Sequence, residues 1–182
     1  MRFTDRIVRK LLRGILAASS LLIGQISANI SCTDLSSFAP KDTLIKTTEN
    51  VETGTPHCKV AGVIEKEIKF ELLLPKEWNG RFMMGGGGAY VGSIQNQALA
   101  YGSGPGALER GYATVGTDTG HVSSYVDGSW ALNNLERQEN FGHRAVHLTA
   151  VTAKSIIKRY YARAPEYSYF VGCSRGGGQA MM

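Results

Sequence analysis

Long apolar runs, cysteines and clustered basic surface are scarce in this 182-residue chain, and each scarcity narrows what the protein can be. The one extended apolar stretch near the N terminus, residues 14–26, is too short to span a bilayer comfortably. No basic stripe interleaved with aromatic residues follows it, which leaves nucleic-acid binding without support. A P-loop is absent because no Gly-Lys-Ser/Thr follows the glycine-rich segments, and a His-Glu-x-x-His metal site is absent because Arg144 follows His143. There is no internal repeat and no low-complexity tract. With only three cysteines, the chain cannot pair all its thiols internally.

What is present begins with an ordered leader. Arg2, Arg6, Arg9, Lys10 and Arg13 face the single acid Asp5, then come the apolar run and the small residues Ser27 and Ala28. That is the layout of a secretory signal peptide, with cleavage expected after Ala28, and an amphipathic surface or core helix is the alternative. Its side chains carry +4 of the formal net charge of +5, so the remainder is close to neutral. The basicity is a targeting feature, and the mature protein is expected to be secreted, extracellular or periplasmic, with no stable membrane insertion after cleavage. In an oxidising compartment Cys32 and Cys58 could pair, or both could be buried thiols. Cys173 is left over, and an odd thiol in a secreted chain points to a partner elsewhere.

The domain organisation expected is a signal peptide over residues 1–28, a polar, turn-rich extension over 29–58, and a catalytic-type domain over 59–182. Residues 60–64 and 68–74 are β-rich runs separated by Glu65, Lys66 and Glu67, suiting an antiparallel hairpin at a sheet edge. Residues 81–84 form a short strand entering Gly85, Gly86, Gly87 and Gly88. A helical turn at 107–110 closes at Gly111, and residues 112–117 form the next strand. From 139 to 161 apolar side chains recur at helical spacing through Phe141, Ala145, Leu148, Thr152, Ile156 and Tyr160, and Pro165 stops the helix. Residues 167–171 are a further strand, and a helix begins at about Gly176. Strands alternating with a long helix in this order predict an α/β fold, the N-terminal part of an α/β-hydrolase sheet, ending before the later strands.

The chemistry concentrates at Gly172-Cys173-Ser174-Arg175-Gly176, the Gly-x-Ser-x-Gly pattern of a nucleophile elbow. A serine on a tight strand-to-helix turn has strained backbone angles and an exposed hydroxyl, and the flanking glycines let strand and helix approach. The bland alternative is an ordinary Gly/Ser turn. The glycine run after the strand that comes third is placed to supply oxyanion donors, with the amides of Gly86 and Gly87 on one side and that of Arg175 on the other. A phosphate cradle or a flexible loop are its rivals. Asp118 and His121 precede the serine, against the Ser, Asp/Glu, His order expected of this fold, so they read as structural groups near the site. His143 and His147 read as solvated helix-surface histidines. The chain stops eight residues after Ser174, so the triad acid and base are expected beyond Met182.

Taken together, the elbow, the run Trp78-Asn79-Gly80-Arg81-Phe82 leading to the glycine loop, and Thr117-Asp118-x-Gly120-His121 resemble the tannase and feruloyl esterase family. Pro56-His57-Cys58-x-Val60 and Tyr160-Tyr161 add to the match, which runs in family order from Cys58 to Gly177. The resemblance implies a secreted serine esterase acting on aromatic esters of galloyl or feruloyl type by a Ser-His-Asp acyl-enzyme mechanism. It also implies that Cys173 pairs with a cysteine beside the catalytic histidine. A large lid domain, often with a structural calcium, is implied after the nucleophile, so lid and calcium would lie beyond Met182 and no cofactor is expected in this chain. Gly178 departs from the arginine usual in the family. The 182-residue chain, carrying only nucleophile and oxyanion loop, is expected to have negligible esterase activity. A non-catalytic secreted remnant or binding module on the same scaffold is the second reading, and an ester hydrolase of the broader lipase type, lacking the cysteine beside its histidine, is the third.

Overall fold

The computed structural model describes residues 30–100 and 102–182, so the signal peptide expected over 1–28 lies outside the described residues. Six strands form one mixed sheet in the order β1-β2-β3-β5-β4-β6: β1 (Thr43–Val51), β2 (His57–Ile64), β3 (Ile68–Pro75), β4 (Arg81–Gly85), β5 (Ala113–Thr117) and β6 (Tyr167–Val171). Strands β1, β2, β3 and β5 pair antiparallel in succession, whereas β4 runs parallel to both β5 and β6. Among the described residues no helix is long and apolar enough to cross a membrane.

The hairpin expected over residues 60–74 is the pair β2 and β3, in register from His57 against Pro75 to Ile64 against Ile68. It does not lie at the sheet edge. Residues 43–51, placed by sequence within a turn-rich extension, form β1 and take the edge position. As an edge strand β1 needs one shielded face only: Ile45 is its one buried side chain and Leu44 is 64% exposed. A register shift between Ile45 and Thr47 breaks the alternation that would have betrayed it. Gly62 allows the pairing, because a Cβ there would press on the Leu44 carbonyl and the Phe70 ring. With β1 counted, the glycine loop follows the fourth strand rather than the third.

The turn between β2 and β3 is held from across the fold. Glu65 pairs with Arg144, Lys66 with Glu136 at 2.9 Å, and Glu67 accepts two hydrogen bonds from Arg137 at 2.9 and 2.8 Å. All three helix partners lie on one continuous run made of α1 (Leu135–Glu139), a π-helical turn (Asn140–Arg144) and α2 (Ala145–Tyr160). The run matches the helix expected from periodicity. Its buried face is Ala145, Val146, Thr149, Thr152, Ala153, Ile156 and Ile157, while Phe141, Leu148 and Tyr160 of the expected stripe are half-buried at its margin. Small residues along that face bring α2 close to Phe70, Leu72, Met84 and Val115 of the sheet.

The Trp78-Asn79-Gly80-Arg81 run anchors the start of β4, away from the glycine loop. Trp78 stacks on Tyr161 at 4.1 Å and donates from Nε1 to the Arg81 carbonyl at 2.8 Å, and the Tyr161 hydroxyl donates to the Pro75 carbonyl at 2.6 Å. Cys32 and Cys58 form a disulfide with Cα atoms 5.6 Å apart, tying the N-terminal 3-10 turn to β2. Because β4, β5 and β6 are parallel, their carboxyl ends meet on one side of the sheet, the usual place for a site in an α/β fold.

Candidate active site

Ser174 sits at that edge between β6 and the short helix α3 (Arg175–Ala180), exposed, with φ 56° and ψ −123°. These are left-handed angles that cost a serine energy, and the surrounding turn over-determines them. A Cβ on Gly172 would overlap the Gly176 carbonyl group, and a Cβ on Gly86 would come within 2.6 Å of Gly176 Cα. Strand, helix and glycine loop therefore touch through bare backbone, which is why glycine occupies all three positions. Gly178 is not under such pressure: a Cβ there would meet Arg175 Nη1 at an ordinary 3.6 Å, so the position has room for a side chain.

The glycine loop lies against the elbow, yet its first amides are already committed. Gly86 N–H donates to the Val171 carbonyl at 2.9 Å, Gly87 N–H to Gln179 Oε1 at 3.0 Å, and Gly88 N–H to Gln95 Oε1 at 2.7 Å. The amides of Gly86 and Gly87, expected from sequence to hold an oxyanion, are thus hydrogen-bonded within the fold. The first N–H of the loop without a partner among the described residues is that of Ala89, itself at φ 48°. On the other side the Arg175 N–H has no partner among the described residues and remains available. Sequence reasoning passed over Gln95, Gln97 and Gln179, since glutamines in loops and short helices carry no periodic signal.

The Arg175 side chain turns back toward the helix run. Its guanidinium stacks over Phe141 at 4.3 Å, and Nη2 donates to the Phe141 and Gly142 carbonyls at 2.8 and 3.3 Å, in the wide π-helical turn. Phe141 continues into a cluster with Trp130, on which His121 stacks with ring centroids 3.7 Å apart. His121 is buried. Its Nε2 lies 2.9 Å from the Tyr90 carbonyl, which can only accept, so that nitrogen carries the proton; Nδ1 has no partner among the described residues. Burial holds its pKa below the usual histidine value.

Asp118 is buried beside it. Oδ1 accepts from the N–H groups of Lys69 and Gly120, both at 2.9 Å, and burial pushes the carboxyl up to about 6 against these hydrogen bonds. Neither Asp118 nor His121 bonds to Ser174, whose hydroxyl makes no hydrogen bond among the described residues. Both are structural groups that brace the loops flanking the site. His143 and His147 are exposed, and among the described residues no cluster of three or more His, Cys, Asp or Glu side chains is arranged to hold a metal. Cys173 is an exposed free thiol. A cleft of about 440 Å³ between α2, β4 and β6, lined by Met84, Val146, Phe170 and Gln179, does not include Ser174.

A family model described as "Tannase and feruloyl esterase" matches residues 52–182. An uncharacterized esterase of Xanthomonas campestris pv. campestris is 34% identical, over 96% of this chain and 32% of its own length. The mono(2-hydroxyethyl) terephthalate hydrolase of Piscinibacter sakaiensis is 37% identical, over 69% of this chain and 24% of its own. Among solved structures, feruloyl esterase B from Aspergillus oryzae superposes with a TM-score of 0.72 at 27% identity, covering 81% of this chain and 33% of that one. The chain thus spans about a third or less of the length of these relatives.

Proposed function

The chain belongs to the tannase and feruloyl esterase family, and from that membership we propose that it is the nucleophile-bearing part of a secreted serine carboxylic-ester hydrolase acting on aromatic esters of galloyl or feruloyl type. The observation that carries the reading is Ser174 at φ 56°, exposed at the carboxyl ends of parallel strands with the glycine loop packed against its turn.

Ser174 Oγ attacks the ester carbonyl while its proton passes to a histidine, which a carboxylate orients; both are supplied by chain following Met182. The carbonyl oxygen becomes an oxyanion held by the Arg175 N–H and by an amide of the glycine loop, where Ala89 presents the first uncommitted N–H. The alcohol leaves with the proton, water attacks the acyl-enzyme, and the aromatic acid is released with the Ser174 hydroxyl restored. A disulfide from Cys173 to a cysteine beside that histidine would tie nucleophile and base together, and a lid inserted after the nucleophile would read the substrate. Among the described residues Ser174 has no general base, so the 182-residue chain alone turns over no ester.

The test compares the 182-residue chain with a protein whose reading frame continues through a His-Cys pair and an upstream Asp. The longer protein hydrolyses a feruloyl or galloyl ester and loses that activity in Ser174→Ala, and the short chain is inert. Aryl-ester turnover by the purified short chain that disappears in Ser174→Ala refutes the division of labour. A native product with the mass of the short chain and no ester turnover points instead to a non-catalytic binding module, which the unpartnered Ser174 hydroxyl would also suit.

A further inference from the structure

Gln97 touches both halves of the site. It opens the 3-10 turn Gln97–Leu99, and its backbone N–H donates to the Gly86 carbonyl at 3.1 Å. Its side chain reaches the elbow: Oε1 accepts the Cys173 N–H at 2.6 Å, and Nε2 donates to the Cys173 carbonyl at 3.4 Å. A carboxamide that pairs with both backbone groups of one residue acts as an added strand partner for it. It holds the peptide planes on either side, and the second of those planes is the one from which the φ of Ser174 is measured. Gly176 makes room for this, since a Cβ there would come within 2.7 Å of Gln97 Oε1.

We propose that Gln97 is a positioning residue of the nucleophile elbow, clasping Cys173 with its side chain and the glycine loop with its backbone so that Ser174 and the loop keep a fixed separation. The proposal rests on the esterase reading for its consequence, but not for its geometry. A strained turn persists only where neighbours over-determine it. Within the elbow itself, Cys173 has one further internal bond, from the Gly176 N–H to its carbonyl at 3.0 Å, and that bond leaves the Cys173 N–H to Gln97 alone.

The test reads the Cys173 amide directly by hydrogen exchange and proton chemical shift in the 182-residue chain and in two variants. Gln97→Ala removes acceptor and donor, and the Cys173 amide is expected to exchange about tenfold faster and to move upfield, while amides of β2 and β3 keep their protection. Gln97→Glu retains an acceptor for the Cys173 N–H and is expected to restore its protection. Equal exchange of this amide in wild type and Gln97→Ala overturns the proposal, and so does a loss shared equally by β2 and β3. These readouts need no turnover, so they succeed or fail independently of the esterase reading. In a catalytically complete chain the same Gln97→Ala change is expected to lower kcat with KM unchanged, and an unchanged kcat there overturns the positioning role.

Discussion

Replacing Asp118 by asparagine is expected to make the protein more stable at neutral and alkaline pH than the wild type, with the gain vanishing in acid. Asp118 is 1% exposed, and its Oδ2 has no hydrogen bond among the described residues, only Lys69 Nζ at 4.0 Å. Burial raises its pKa from 3.8 to about 6. A carboxyl whose folded pKa lies above its unfolded one stabilises the fold while protonated, and that contribution is present below about pH 4 and lost as pH rises through about 6. A shift of about 2 units corresponds to about 3 kcal/mol at pH 8. Asparagine keeps the Oδ1 acceptor for Lys69 and Gly120 and cannot ionise, so it escapes the loss. His121 titrates in the opposite sense: its lowered pKa gives stability above the unfolded value that is lost as pH falls, and it is common to both proteins, so it cancels in the difference. Urea unfolding at pH 4, 5, 6, 7 and 8 measures the gap between variant and wild type. The gap should widen across pH 4 to 6 and level off near 8. A gap that is flat with pH, or that narrows as pH rises, refutes the assignment of a strained buried carboxylate.

Ser174→Gly relieves a left-handed backbone and should raise stability by about 1 kcal/mol in denaturant unfolding; a loss of stability would mean that the serine angles carry no strain. Gly172→Ala forces a Cβ into the backbone of Gly176 and should cost about 3 kcal/mol, with the midpoint of unfolding as the readout. Converting Cys32 and Cys58 together to serine opens the loop they close and should cost roughly 3 kcal/mol by the chain-entropy argument; a thermal midpoint unmoved by reduction would sink that expectation.

The elbow was legible in sequence because its demands are local: strand and helix meet through bare backbone on either side of the serine, so Gly172 and Gly176 flank Ser174 at two residues' distance. β5, buried along its whole length, announced itself by composition, and β6 by position before the elbow. The long helix was legible through its period, with Ala145, Thr152 and Ile156 of the expected stripe buried and Leu148 and Tyr160 at the margin. β1 was not, because an edge strand with one buried side chain and a register shift resembles a polar linker until a partner lies beside it. The two glycines assigned as oxyanion donors were correctly placed in the loop, but their N–H groups are taken by Val171 and Gln179, residues far along the chain.

By itself, the amino-acid sequence determined what depends on neighbours in the chain: the strained serine turn, the glycine loop after its strand, the long helix, and the family to which these motifs belong. Tertiary structure alone decided which groups are free and which are spent. Hydrogen-bond partners such as Gln97 for Cys173, Gln179 for Gly87 and Arg175 for the Phe141 carbonyl lie 34 to 92 residues apart. Burial, which raises Asp118 and keeps His121 neutral, is likewise a property of the packed sheet and helix, because desolvation depends on every atom around a group and not on the residues beside it.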